Sequence, residues 1–388
     1  MNRPLLRLVF SVVALVVCFA APAIADEVKV EAIGFTERTI YHSPETPGYT
    51  AWVGFWRLPN GRLRYDFTQV TGPKAKPVVT RPVFESQDNG VTWSHLVDTP
   101  TETVILDGII QSLRDCGRGM SVSPDGTLVR PIQPSVFMKE SGYVERSTDG
   151  GQTWSGKIFF LSPEEYRTAP TLIRPLRDGR LVLFAGCWKI DDFEFGKTFF
   201  ENMFKAMFIS TDKGLTWSKP IVIQAAEPGQ SGTEESDFCE LPNGDLFWVH
   251  RVQQRFSRMQ SLVRKVGDSF VPDKCEVSAL PHSGFPMVLY TREGIILHLS
   301  TRWAYGEFAE GRPLDGICWT ADLGKTWTRL EIPGTPYYPN AIQLDAGTIT
   351  LIGHWHNQLV RLGGDNQYGT VDQSIKQQTF RLRVTRTP

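Results

Sequence analysis

The chain has 388 residues, with 41 Lys and Arg against 42 Asp and Glu and a formal net charge of −1. A balance that close offers no electrostatic footprint for nucleic acid, and no nucleic-acid partner is expected. The length allows two or three domains, although all-β barrels and propellers run long as single domains.

Residues 1–25 read as a secretory signal peptide. Arg3 and Arg7 give a charged start, Leu8 to Ala21 an apolar run, and Ala23-Ile24-Ala25 a small-x-small cleavage site before Asp26. The apolar run is too short for a comfortable membrane span, and no second one follows. Cys18 lacks a small residue before it, which argues against a lipid anchor. The mature chain, 26–388, is therefore expected to be secreted or periplasmic, with cleavage after Ala25. Five cysteines remain in it, Cys116, Cys187, Cys239, Cys275 and Cys318. An odd number leaves at least one thiol unpaired or bonded to another chain. No Cys/His spacing suggests a metal, and no cofactor is expected.

Two repeats run through the mature chain. The first is Ser86-Gln87-Asp88-Asn89-Gly90-Val91-Thr92-Trp93, which returns as Ser147 to Trp154, Ser210 to Trp217 and, more weakly, Thr320 to Trp327. Each copy lies between strand-like runs. An Asp that accepts bonds from its own loop, a Gly that supplies positive φ and a Trp that returns apolar area to the sheet make this a hairpin turn with a structural purpose. The second repeat occurs six times as a turn ending in Gly between apolar runs, at Gly61, Gly126, Gly179, Gly244, Gly294 and Gly347. The glycines are spaced by 65, 53, 65, 50 and 53 residues. Asn-Gly and Asp-Gly turns between apolar runs are the strongest short-range hairpin signal.

Six four-stranded units of this period predict an all-β, six-bladed propeller. Val266-Gly267-Asp268 reads as a remnant of the Trp-ended turn in the fourth unit. Thr379 to Thr385 gives the last unit a third strand, and the orphan run Val28 to Ile33 is expected to supply its fourth, closing the ring and removing an open edge. Asp191 to Phe204 is the longest irregular insertion, expected as a lid or a short helix.

The Trp-ended turn is the Asp-box found in sialidases and in several unrelated propellers. The fourth unit reads Glu234-Glu235-Ser236-Asp237-Phe238-Cys239-Glu240-Leu241-Pro242-Asn243-Gly244, followed by Arg251; the fifth carries Arg312 ten residues before Asp322, and the sixth opens with Tyr337-Tyr338. In these spacings the chain resembles the sialidase (neuraminidase) superfamily over nearly all of its mature length. The resemblance implies Tyr338 as nucleophile, Glu235 as its base, and Arg251 with Arg312 as the holders of a substrate carboxylate. That set suits an acidic sugar. A carboxylate nucleophile would meet the like charge of the substrate, whereas a phenol activated by a base does not. Arg matches both oxygens of a planar carboxylate.

The chain also departs from the pattern. The first unit, Gly48 to Val53, has no Arg where the family has the first of its triad, and the connection Thr71 to Pro77 has no acid where the family has its proton donor. The second unit offers surrogates in Arg114-Asp115-Cys116-Gly117-Arg118: Asp115 as acid and Arg118 as clamp. Trp52, Trp56, Trp303, Tyr337 and Trp355 are candidate sugar platforms or packing residues, and His250, His354 and His356 candidate ligand contacts. The expected function is an exported glycoside hydrolase that removes a terminal acidic sugar from a glycan with retention. A carbohydrate-binding propeller without catalysis, or a glycosidase of other specificity such as for uronic acids, stands beside it. The sequence does not bear on the oligomeric state.

Overall fold

The six glycine turns build the molecule. In the computed structural model, which describes residues 27–43, 49–71, 78–100, 103–106, 109–112, 114–115, 120–134, 140–192, 202–226, 232–252, 257–281, 285–299, 316–355 and 374–387, every one of them closes alike. The Gly N–H donates to the carbonyl three residues back, as in Gly61 to Leu58 at 2.9 Å and Gly347 to Leu344 at 2.8 Å. All six glycines are left-handed, with φ between 78° and 89°. This is a type I turn followed by a left-handed residue, one of the favoured ways to reverse a hairpin, and a side chain at that φ would be strained. In four of the six a preceding Asn or Asp fixes the turn, as when Asn60 Oδ1 accepts from the Arg62 N–H at 3.1 Å.

Each turn joins the first two strands of a blade. Blade one is Tyr49–Arg57, Leu63–Thr71, Val78–Ser86 and Ser94–Pro100. Blade two is the most reduced: Ser121–Val122, Leu128–Pro134 and Tyr143–Ser147, with Arg114–Asp115 also beside the middle strand and a single bridge from Val144 to Ile158 as its outer edge. Blade three is Tyr166–Pro175, Leu181–Lys189, Phe204–Ser210 and Ile221–Gln224. Blade four is Gly232–Glu240, Leu246–Val252, Ser257–Val266 and Ser269–Pro272, with Glu276–Pro281 added against Ser257–Val266. Blade five is Met287–Tyr290, Ile296–Leu299, Ile317–Thr320 and Thr328–Arg329. Blade six is Tyr337–Gln343, Ile349–Trp355, Ser374–Thr387 and, from the other end of the chain, Glu27–His42. The expected closure holds, from Glu27 opposite Thr387 to His42 opposite Ser374, and extends well past the orphan run.

The inner strands contact one another in a closed ring, blade one with two, two with three, and on to six with one. They enclose a central cavity of about 200 Å³ lined by Phe55, Trp56, Leu172, Arg174, Met287 and Asn340. Apolar cores lie between blades. Ile173, Leu183 and Phe208 of blade three pack with Val129 and Val144 of blade two, and Ile296 and Val288 of blade five with Phe247 and Val249 of blade four. Each such fully buried side chain contributes about 1.5–3 kcal/mol relative to exposure. Two features had no sequence signal: the hairpin Thr103–Leu106 with Ile109–Ser112 between blades one and two, and the strand Glu276–Pro281. In the insertion, Ile190–Asp192 forms a short 3-10 turn and residues 193–201 lie outside the described residues, as does the signal-like segment at 1–26. Among the described residues no helix is long and apolar enough to cross a membrane.

The Trp-ended turns follow one pattern. Asp88 Oδ1 accepts from the Thr92 N–H at 2.8 Å and Oδ2 from the Thr92 hydroxyl at 2.6 Å, while Ser86 Oγ donates to Asp88 and accepts from the Gly90 N–H. Asp149, Asp212 and Asp322 repeat the set. The residue before each Gly is also left-handed: Asn89, Gly150, Lys213 and Leu323, with φ of 57°, 76°, 60° and 60°. These bonds, first the Thr92 hydroxyl and then its N–H, lower the Asp88 pKa from 3.8 to about 2. A carboxylate depressed in the folded state contributes stability in full above its unfolded pKa and loses it as pH falls through the folded value. Asp88→Ala is therefore expected to lower the melting temperature at neutral pH, and the gap from the parent to narrow between about pH 4 and pH 2, the window set by that shift. Thermal unfolding followed across that range checks this, and a gap independent of pH rules the account out.

Candidate active site

Glu235, Arg251 and Tyr338 meet at the end of the ring where the inner strands begin. Each inner strand there breaks its register. Between Gly232 and Ser236, three residues of blade four stand opposite Arg251 alone, and between Tyr337 and Asn340 the blade-six strand bulges at Tyr338 and Pro339. Bulges re-aim side chains that strict alternation would send elsewhere. Tyr338 takes a left-handed φ of 51° to do so, a conformation that is strained for any residue with a side chain.

The Tyr338 hydroxyl donates to Glu235 Oε1 at 3.0 Å, and an Arg251 guanidinium nitrogen donates to Glu235 Oε2 at 2.8 Å. Glu235 is 14% exposed, Arg251 19% and Tyr338 9%. Burial alone pushes the Glu235 carboxyl up. The charge and hydrogen bond of Arg251, the charge of Arg258 and the Tyr338 hydroxyl outweigh it and hold the carboxyl below its ordinary value of 4.5. The group is therefore ionised at neutral pH and positioned to accept the phenol's proton.

Around this trio stand residues with no motif. Arg258 is fully buried on the third strand of blade four. Lys205, 3% exposed, donates its ammonium to the Arg251 carbonyl at 3.1 Å. His354 stacks on the Tyr338 ring, centroids 5.7 Å apart and planes 25° apart, and Phe285 tilts against it at 6.4 Å. Deeper in the ring, two ion pairs are structural. Asp66 and Arg81 pair through both oxygens, at 3.1 and 2.8 Å. Asp237 takes Arg174 Nε and NH2 at 2.8 Å each, the Phe238 N–H at 2.8 Å and the Val288 N–H at 2.7 Å, tying blades three, four and five together.

The remaining expected site residues are not brought to the trio on the described residues. Asp115 lies in the short strand 114–115, its backbone paired opposite Gln133 on the innermost side of blade two. Arg118 and Arg312 lie outside the described residues, as do Trp303 and His356. Trp56 is 8% exposed in the wall of the central cavity. Trp52 is partly exposed and, like Tyr338, has a φ of 51°. Among the described residues no group of three His, Cys, Asp or Glu side chains is placed to hold a metal. Arg258 and Lys205 escaped notice in the sequence because each acts across a strand pairing that leaves no local pattern.

No family model matches the sequence, and no curated relative was found by sequence comparison. Solved structures do match. A protein of unknown function from Dyadobacter fermentans superposes with a TM-score of 0.62 at 17% identity, covering 91% of this chain and 99% of that one. The α-L-arabinanase of Penicillium chrysogenum complexed with arabinobiose gives 0.58 at 18% identity, over 88% and 97%. The NanB sialidase from Streptococcus pneumoniae gives 0.60 at 11% identity, over 89% and 70%. The fold is thus the six-bladed propeller of the sialidases and arabinanases. At these identities the likeness is one of architecture.

His250 and His298 are fully buried in blades four and five, and among the described residues no ring nitrogen of either has a hydrogen-bond partner. Burial first, then for His250 the charges of Lys205 and Arg258 and for His298 that of Arg258, lower both pKa values well below 6.5. Both are neutral when folded and protonate more readily once unfolded. Stability is then full above about pH 6.5 and declines as pH falls below it. His298→Leu, which removes one buried base of similar size, is expected to flatten the fall in melting temperature between about pH 7 and pH 5. An unchanged slope in thermal unfolding contradicts this.

Proposed function

We propose that the protein is an exported glycoside hydrolase of the sialidase type that removes a terminal acidic sugar from a glycan with retention. The observation that supports it most is the hydrogen bond from the Tyr338 hydroxyl to an ionised, Arg-held Glu235. A phenol ordinarily titrates near ~10 and needs a base to react at neutral pH. In the first step the phenol oxygen bonds to the anomeric carbon, its proton passes to Glu235, and the bond to the leaving oxygen breaks. Asp115 is the proposed donor of the proton that the leaving oxygen takes. Water then displaces the Tyr338 oxygen and gives its proton to Asp115, while the Tyr338 oxygen regains a proton from Glu235, so both acids are restored and the sugar leaves with its original configuration. Arg251, one nitrogen of which already holds Glu235, is assigned with Arg312 and Arg118 to the substrate carboxylate.

A second reading is a glycosidase for uncharged sugars, favoured by the lack of an Arg between Gly48 and Val53, where Trp52 stands instead. Nitrophenyl glycosides of sialic acid, glucuronic acid and arabinofuranose separate the two. With the sialoside as substrate, Tyr338→Phe and Glu235→Gln are each expected to lower kcat by orders of magnitude while the fold is kept. Arg312→Lys keeps the charge and loses the two-pronged contact, so KM for acidic glycosides rises more than for neutral ones. Asp115→Asn is expected to slow substrates with poor leaving groups and largely spare nitrophenyl ones, which leave without help. Turnover that survives loss of the Tyr338 hydroxyl eliminates it as nucleophile. Binding without hydrolysis by the parent identifies a lectin-like propeller instead.

A further inference from the structure

The offset that unites Glu235 and Tyr338 extends over four consecutive blades. Counting nine residues back from the hairpin glycines Gly244, Gly294, Gly347 and Gly61 gives Glu235, Phe285, Tyr338 and Trp52. Two contacts show that the offset marks one level of the ring: Tyr338 to Glu235 at 3.0 Å and Tyr338 to Phe285 at 6.4 Å between centroids. Trp52 holds the same place in the next blade round. Its register break, between Ala51 and Gly54, matches that between Tyr337 and Asn340. Its φ of 51° equals that of Tyr338. The two inner strands are neighbours, and the Asn340 amide donates to the Val53 carbonyl between them. Trp52 is only partly buried, whereas Trp188 and Trp248 are fully so.

We propose that Trp52 is a specificity-determining residue: its indole walls the pocket beside Tyr338 and stacks on the apolar C–H face of the substrate's sugar ring. This rests on the reading above only in taking the Tyr338 pocket as a glycoside site. A left-handed backbone is costly for a Trp, and a residue needed only for the bulge would be better served by Gly or Asn. A large flat ring in that place supplies dispersion and apolar area with few rotatable bonds to freeze. Recognition on this side of the pocket is therefore by stacking and does not depend on the sugar's charge.

The test separates ring from backbone and binding from chemistry. On the nitrophenyl glycoside that the parent cleaves best, Trp52→Ala is expected to raise KM on the order of tenfold, which is about 1.4 kcal/mol, with kcat within about threefold. Trp52→Phe keeps most of the affinity. Trp52→Asn suits the left-handed backbone without a large ring, and is expected to bind as poorly as Trp52→Ala. Calorimetric titration of methyl sialoside, glucuronide and arabinofuranoside into Tyr338→Phe, with and without Trp52→Ala, measures the same loss without turnover. Affinity restored by Trp52→Asn, or unaffected by Trp52→Ala, overturns the proposal. A parent that binds a glycoside without cleaving it refutes the catalytic reading, while a Trp52-dependent affinity in that protein upholds the stacking role. No binding of any of the three refutes both.

Discussion

The joint between blades is the constraint on which the rest depends. A four-stranded sheet of this size buries neither face alone, so each must pack on its neighbours, and the Trp-ended turn is where it locks. Every copy docks on the preceding blade. Gln377 of blade six accepts from the Trp93 indole at 3.0 Å and donates to the Gly90 carbonyl at 3.1 Å, and Gln260 of blade four does the same for Trp327 and Gly324, at 3.2 and 2.9 Å. Arg64 of blade one reaches the Gly150 carbonyl, and Arg146 of blade two the Lys213 carbonyl. The glycines are needed for closeness as well as for φ. A Cβ on Gly324 would stand 2.8 Å from Phe247, and one on Gly214 2.9 Å from Val129. Arg38 of the N-terminal strand donates to the Gly90 and Val91 carbonyls, so the chain end that completes blade six also grips blade one. Closure and docking are one event.

A ring locked at its periphery fixes the spacing of the inner strands, and chemistry can then be placed by register alone. Three acid–arginine pairs stand in the ring, one within blade one, one between blades three and four and one within blade four, and depth decides what each does. Asp66 with Arg81, and Asp237 with Arg174, have their carboxylates saturated by bidentate contacts, and such buried pairs serve geometry more than net stability. Glu235 with Arg251 lies higher, where the second carboxylate oxygen meets a phenol instead of another guanidinium nitrogen. The same device is structural below and suited to proton transfer above.

Legibility in the sequence follows from how local each device is. The glycine turns and the Asp turns satisfy their own backbones within five or six residues, so their residue types recur and the blade count could be read directly. Glu235 and Tyr338 were legible because distance from a hairpin glycine is also distance along the funnel. Arg258, Lys205 and the Asp66–Arg81 pair act across strands and leave no such trace. Blade two shows the converse limit. Its hairpin at Gly126 was plain, yet its outer strand is reduced to the Val144–Ile158 bridge, which no local residue pattern marks. The added strand Glu276–Pro281 depends on an edge left by the third strand of blade four.

Strain joins the fold to the chemistry. In an unbroken strand, side chains alternate, and a residue at the position of Tyr338 would share its face with its second neighbours in the sheet. The bulge with φ of 51° releases it from that alternation, at a cost of about 1–2 kcal/mol for a residue with a Cβ. Gly would remove the strain but carry no hydroxyl to Glu235, and Asn would not reach 3.0 Å from its carboxylate with a titratable oxygen. The surrounding contacts hold the residue there: His354 stacked on one face, Phe285 tilted against the ring, and Asn340 bonded across to blade one. A strained, nine-tenths buried tyrosine thus donates to an ionised glutamate. On the proposed reading, that place is the one where a phenol and its base are needed side by side.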